Sequence, residues 1–173
     1  MDLNEYLHSV IPKPCDSRPF VCDGRPESCN VIVIGENPAT IMNTDWWTFW
    51  NDESGFNFVK FQEKYEEARG KKRISNTRLR LNRLRQAGLL CLETNVFLNE
   101  GLGGHGSTAP SVDLLPTFID KLPQLRGVIA HGSVAGKYLA NITLPVGVQR
   151  HVMRHFRSVS YSELDRVARA ILS

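Results

Sequence analysis

The chain has 173 residues, 42% hydrophobic and 23% charged, enough for one real core and too apolar for a disordered polymer. Its net charge of +3 excludes little, and no apolar run reaches the ~18 residues that a membrane-spanning helix needs. Cys15, Cys22, Cys29 and Cys91 are too sparse for a secreted disulfide framework. Structural thiols are the leading reading. A metal is the alternative, weakened by the absence of a C-x2-C pair. The opening Met1-Asp2-Leu3-Asn4-Glu5 is acidic and lacks the basic and apolar regions of a signal peptide, so a cytoplasmic protein is expected.

In chain order, Val31-Ile32-Val33-Ile34 is a β-branched run that stops at Gly35, followed by Asn37-Pro38. It reads as a buried strand entering a turn, where a glycine lets a ligand approach and Pro38 stiffens the loop behind Asn37. Phe58, Phe61 and Tyr65 recur at helical spacing, as do Ile74, Leu81 and Leu84, which share a stripe with Thr77. Residues 88–97 predict a second strand, 127–130 a third and 146–152 a fourth. Residues 111–122 and 133–139 predict helices, with Ser133 as the cap of the latter. A last helix opens at Ser160 and Glu163, which have capping-box spacing, and turns Leu164, Val167, Ala168 and Ile171 inward.

Strands alternating with helices imply a single α/β domain over residues 1–173. The expected architecture is three layers, α/β/α, around a central, mostly parallel four-stranded sheet. Ligands of such sheets sit at the carboxyl ends of the strands. Those ends hold residues 35–40, 94–98, 131–133 and 155–161.

Charge is unevenly spread. Seven basic residues fall between Lys71 and Arg85 with no acid among them, leaving 14 basic against 18 acidic residues elsewhere. Arg78 and Arg85 flank one side of the apolar stripe, and Arg73, Arg80 and Arg83 the other. This is either the footprint of a polyanion or a solvated helix face. The glycine-rich run from Gly101 to Gly106 lacks the Gly-Lys-Ser/Thr of a phosphate-binding P-loop and reads as a mobile loop. His131-Gly132-Ser133 lacks the first glycine of a serine-hydrolase elbow.

The Gly35-Glu36-Asn37-Pro38-Ala39-Thr40 turn resembles the first motif, Gly-x-Asn-Pro, of the uracil-DNA glycosylase superfamily, nearest its single-strand-selective and mismatch-specific branches. The stretch from Arg18 to Gly24 running into 31–40 is similar to a bacterial glycosylase-like subgroup. Trp46-Trp47-Thr48-Phe49-Trp50-Asn51 resembles the segment that supplies the base-stacking ring, and Thr94-Asn95-Val96 the motif whose Asn reads uracil. His155 stands in the place of the second catalytic motif, although His155-Phe156-Arg157-Ser158 lacks the usual His-Pro-Ser.

That resemblance implies a monofunctional DNA glycosylase acting on uracil or a related deaminated base, without metal or dissociable cofactor, as a monomer on DNA. Asn37 is implied to position the water and His155 to stabilise the leaving base anion. Gly35, Glu36 and Asn95 would contact the base, with Phe49, then Trp50, stacking on it. Glu36 either acts as a base for the water or repels DNA. Arg78, Arg85, Arg157 and Ser158 are expected at the DNA. His151, four residues earlier, is the alternative to His155, and Asn99 the alternative to Asn95. Two other readings stay open: a nucleic-acid-binding protein of this fold with lost or altered catalysis, and a hydrolase of small nucleosides or nucleotides.

Overall fold

In the computed structural model, residues 1–70, 72–101 and 113–173 are described. The β-branched run folds as β1 (Val31–Gly35), and β4 (Cys91–Asn95), β5 (Gly127–His131) and β6 (Gln149–Met153) join it. The four make one sheet of order β4-β1-β5-β6 with every pairing parallel. Six α-helices flank it among the described residues: α1 (Leu3–Val10), α2 (Phe58–Arg69), α3 (Asn76–Gln86), α4 (Leu115–Lys121), α5 (Ser133–Ala140) and α6 (Tyr161–Leu172). The architecture is the expected three-layer α/β/α. The two short strands β2 (Trp50–Asn51) and β3 (Gly55–Phe56) form a separate antiparallel hairpin that periodicity does not reveal.

Strand alternation divides the core into two halves. Ile32, Ile34, Leu92, Val128 and Ala130 point to one face, where they meet α1, α4 and α5. Val31, Val33, Cys91 and Ile129 point to the other, against Leu81 and Leu84 of α3 and Leu164, Val167 and Ile171 of α6. Burial on both faces is why β1 and β5 read as continuous apolar runs rather than as alternating ones. All four cysteines are buried free thiols, and no group of three metal-ligating side chains occurs among the described residues.

The helix ends follow their side-chain chemistry. Ser160 and Glu163 close the expected capping box at the start of α6, and Asp2 with Glu5 builds a second one on α1. Ser133 does not cap α5; Gly132, at φ 87°, takes the cap position and Ser133 is the first helical residue. Residues 102–106 of the glycine-rich run, and residues 107–112 ahead of α4 with the first two positions of the helix expected over 111–122, lie outside the described residues. Among the described residues no helix is long and apolar enough to cross a membrane.

One sheet edge is closed. Val21 pairs antiparallel with Glu93 on the outer side of β4, its N–H donating at 2.9 Å and its carbonyl accepting at 2.7 Å. The segment carrying Phe20 and Val21 therefore clasps β4 and sets Arg18 beside the strand ends.

Candidate active-site cleft

The carboxyl ends of the strands open onto a cleft of about 400 Å³ lined by the turn after β1, by α2 and α3, and by the ends of β4 and β5. Gly35, Glu36, Asn37, Asn95, His155 and Arg157 all line it, as does Arg78. These residues are scattered over 120 positions of sequence and meet because parallel strands end at one level.

The loops at this level are stitched together. Val96 and Phe97 donate their N–H groups to the carbonyls of Gly35 and Glu36, each at 2.9 Å. Asn37 donates its Nδ2 to the Gly101 carbonyl at 2.6 Å, and the Gly101 N–H donates back to Pro38 at 2.8 Å. Gly101 is at φ 100°, a left-handed conformation that suits glycine and that directs its carbonyl at Asn37. With Nδ2 held in this way, the Asn37 Oδ1 is the atom left to accept from a water. Buried Arg18 completes the clamp by donating to the Thr40 carbonyl at 2.8 Å and pairing with Glu100 at 3.2 Å.

Across the sheet, one row decides the chemistry of the cleft floor. Gly35 is in register with Asn95 on one side, and Ile34 with Ala130 on the other, so Asn95, Gly35 and His131 stand abreast on the same face. A Cβ on Gly35 would lie 2.7 Å from Asn95 Oδ1 and 3.0 Å from His131 Nε2. The glycine is thus a matter of space: without a side chain in the middle, its two neighbours lean in over the gap.

His131 stands at one of the expected strand ends but receives no role from the motifs. It is 6% exposed, stacks on Phe156 with ring centroids 4.1 Å apart, and accepts the Phe156 N–H at Nδ1 (3.4 Å). Burial, reinforced by the neighbouring His155, pushes its pKa down to about 3, so the ring is neutral. With Nδ1 accepting, the single proton sits on Nε2, the atom that overlooks Gly35.

His155 repeats the pattern. Its Nδ1 accepts the Arg157 N–H at 3.2 Å, leaving Nε2 as the donor, and burial and then Arg157 lower its pKa. The two imidazoles meet edge to face with centroids 5.2 Å apart. His151, the alternative, does not line the cleft; its Nε2 meets Gln149 Oε1 at 3.0 Å.

Several expected residues stand elsewhere. Phe49 is 4% exposed and packs on Phe56 and Phe61, while Trp50 stacks on Trp46 and donates its Nε1 to Asp52. Neither lines the cleft, because the 3-10 turn at Trp46–Phe49, capped by Asp45, turns these rings toward Phe20 and Phe56 in the core. Trp50 instead lines a surface hollow of about 580 Å³ with His8, Trp47 and Asp52. Among the described residues Tyr65 of α2 is the phenol or phenyl ring that lines the cleft, and its hydroxyl donates to Ser75 at 3.0 Å.

The basic strip is largely consumed by the fold. Arg78 and Arg85 both pair with buried Glu93, at 2.8 and 3.0 Å; Arg83 forks onto Asp165, and Arg80 donates to the Val159 carbonyl. The expected presentation of Arg78 and Arg85 to DNA is corrected accordingly: their charges face the strand, not solvent. Arg157 and Ser158 are exposed, and only Arg157 reaches the cleft. No protein-family model matches the chain, and no curated protein is significantly similar to it.

Proposed function

We propose that the chain is a cytoplasmic, monomeric DNA glycosylase of the uracil-DNA glycosylase type, hydrolysing the N-glycosidic bond of uracil or a related deaminated base and so opening base excision repair. The observation that carries this reading is the meeting of Asn37, Asn95 and His155 in one cleft at the strand ends. A target nucleotide flips out of the stack and enters the cleft. Asn95 offers both an amide donor and an acceptor to the base edge. The Asn37 carbonyl oxygen accepts from a water and aims it at the sugar carbon, and Glu36 stands beside it as a carboxylate for that water's proton. The carbon–nitrogen bond breaks with its electron pair moving onto the base. The neutral His155 donates to the base carbonyl that gains the charge, an effect worth roughly 10²–10³ in rate.

The placement of Phe49 in the core and of Trp50 at a separate surface hollow favours one second reading, a nucleic-acid-binding protein with altered catalysis, because neither expected stacking ring lines the cleft. Incubation with oligonucleotides carrying uracil, hypoxanthine or xanthine, followed by alkaline cleavage of abasic sites, decides between them. Strand scission at the modified base supports the glycosylase; binding of the same oligonucleotides without scission supports the second reading.

A further inference from the structure

The row Asn95–Gly35–His131 presents more than one Asn to a ligand. Asn95 Oδ1 and His131 Nε2 both lie about 3 Å from the same point above Gly35, so the acceptor of the amide is the atom nearest the imidazole. Asn95 Nδ2 is not among the three atoms nearest that point, so the amide turns its acceptor toward the gap, where it stands beside the imidazole donor Nε2–H with its own donor Nδ2 set further back. Nothing among the described residues occupies that imidazole donor, while Nδ1 is held by Phe156. Stacking on Phe156 fixes the ring plane.

We infer that His131 is a base-contacting specificity residue, and that with Asn95 it reads a cyclic imide edge, carbonyl–NH–carbonyl. This rests on reading the cleft as a base pocket. The complement of donor–acceptor–donor is acceptor–donor–acceptor, which uracil and xanthine present in full. Hypoxanthine matches the first two positions and carries only C–H at the third. Guanine sets an amino donor against the imidazole donor, and cytosine inverts the first two positions. The carbonyl at the third position has two lone pairs. In uracil His131 takes the one beside the imide NH, and His155, its ring centroid 5.2 Å from that of His131, takes the one beside the glycosidic nitrogen; in xanthine that second lone pair lies beside N3 instead. Discrimination at the third position therefore comes from a buried donor left unpaired by the wrong base.

The test uses free bases, which report recognition independently of bond cleavage. The pairs uracil against 4-pyrimidinone, and xanthine against hypoxanthine, differ at the carbonyl assigned to His131. Titration of the wild-type protein is expected to favour uracil and xanthine by at least ~10-fold, with the His131 Nε2–H resonance shifting only for those two. His131→Phe, which keeps the stack, should bring each ratio near one, and His131→Gln, which restores a donor, should recover part of it. Equal affinity within both pairs, no measurable binding of any of the four bases, or an unshifted His131 resonance overturns the inference. Base preference without cleavage of oligonucleotides would retire the glycosylase and keep the edge reading; cleavage without base preference would do the reverse.

Discussion

Arg78 reaches Glu93 from inside the protein: its Nη1 lies 2.8 and 2.9 Å from the two carboxylate oxygens, with the residues 5% and 7% exposed. Arg85 donates to one oxygen of the same carboxylate, Oε1, at 3.0 Å. Burial raises the Glu93 pKa and the two guanidinium charges lower it, and the charges win, leaving it below its ordinary value. One carboxylate holds two arginines of α3 against β4.

Glu93→Gln should therefore be among the most damaging single changes, because it strands two arginines without a counter-charge. A loss of roughly 3–5 kcal/mol in urea unfolding is expected. A loss below ~1 kcal/mol would mean that the arginines find water or another partner. The double change Arg78→Ala with Arg85→Ala should likewise act on stability, and its effect on the salt dependence of DNA binding should be small.

His131 makes acid sensitivity legible. Its folded pKa is pushed down to about 3, against an unfolded value of ~6.5. The unfolded chain binds this proton first, so stability is full above ~6.5 and falls as pH drops toward 3. The slope is at most ~1.4 kcal/mol per pH unit for one proton. Unfolding free energies of wild type and His131→Phe, measured between pH 4 and 6, should converge by about that slope as pH falls. Parallel curves would show that His131 carries a proton in the folded state.

Asn37→Ala should fold, losing its hydrogen bond to Gly101 at a cost of ~0.5–1.5 kcal/mol. Cleavage of a uracil-containing oligonucleotide should drop at least ~10²-fold in single-turnover conditions. Near-wild-type turnover would leave Asn37 as a loop tie and nothing more.

Gly35→Ala separates space from backbone freedom. The added methyl would stand 2.7 Å from Asn95 Oδ1, so both Asn95 and His131 must move outward. A misplacement of about 1 Å can cost ~10²-fold in rate, and a loss in that direction is expected. Retention of full activity and of base affinity would show that the row is not the reading edge.

The layered fold was legible because β1 and β5 are buried on both faces and therefore spell apolar runs, and α6 announces itself by its capping box. Asn37, Asn95 and His155 were legible as strand-end residues. The rings were not: nothing local distinguishes a stacking Phe49 from a core Phe49, and only the packing of Phe20 and Phe56 decides. The arginines of α3 misled for a similar reason: Glu93 is only 8 and 15 positions from Arg85 and Arg78, but it lies in the next strand and its place in the register is invisible before the sheet is built. His131 was recoverable, because alternation along β5 puts it on the same face as Ile129, level with Gly35.

The clasp of Val21 on Glu93 also sets a kinetic condition. The strand that bears Glu93 is joined to its edge partner across 72 positions, and the same segment delivers Arg18 to the cleft wall. The clasp is an isolated bridge on the sheet edge, and such a pairing opens below the limit set by the inner strands. Site and clasp should then breathe as one unit: amide exchange at Val21 and Glu93 should report each opening of the wall beside Asn95, while β1 and β5 stay protected to the limit of global unfolding.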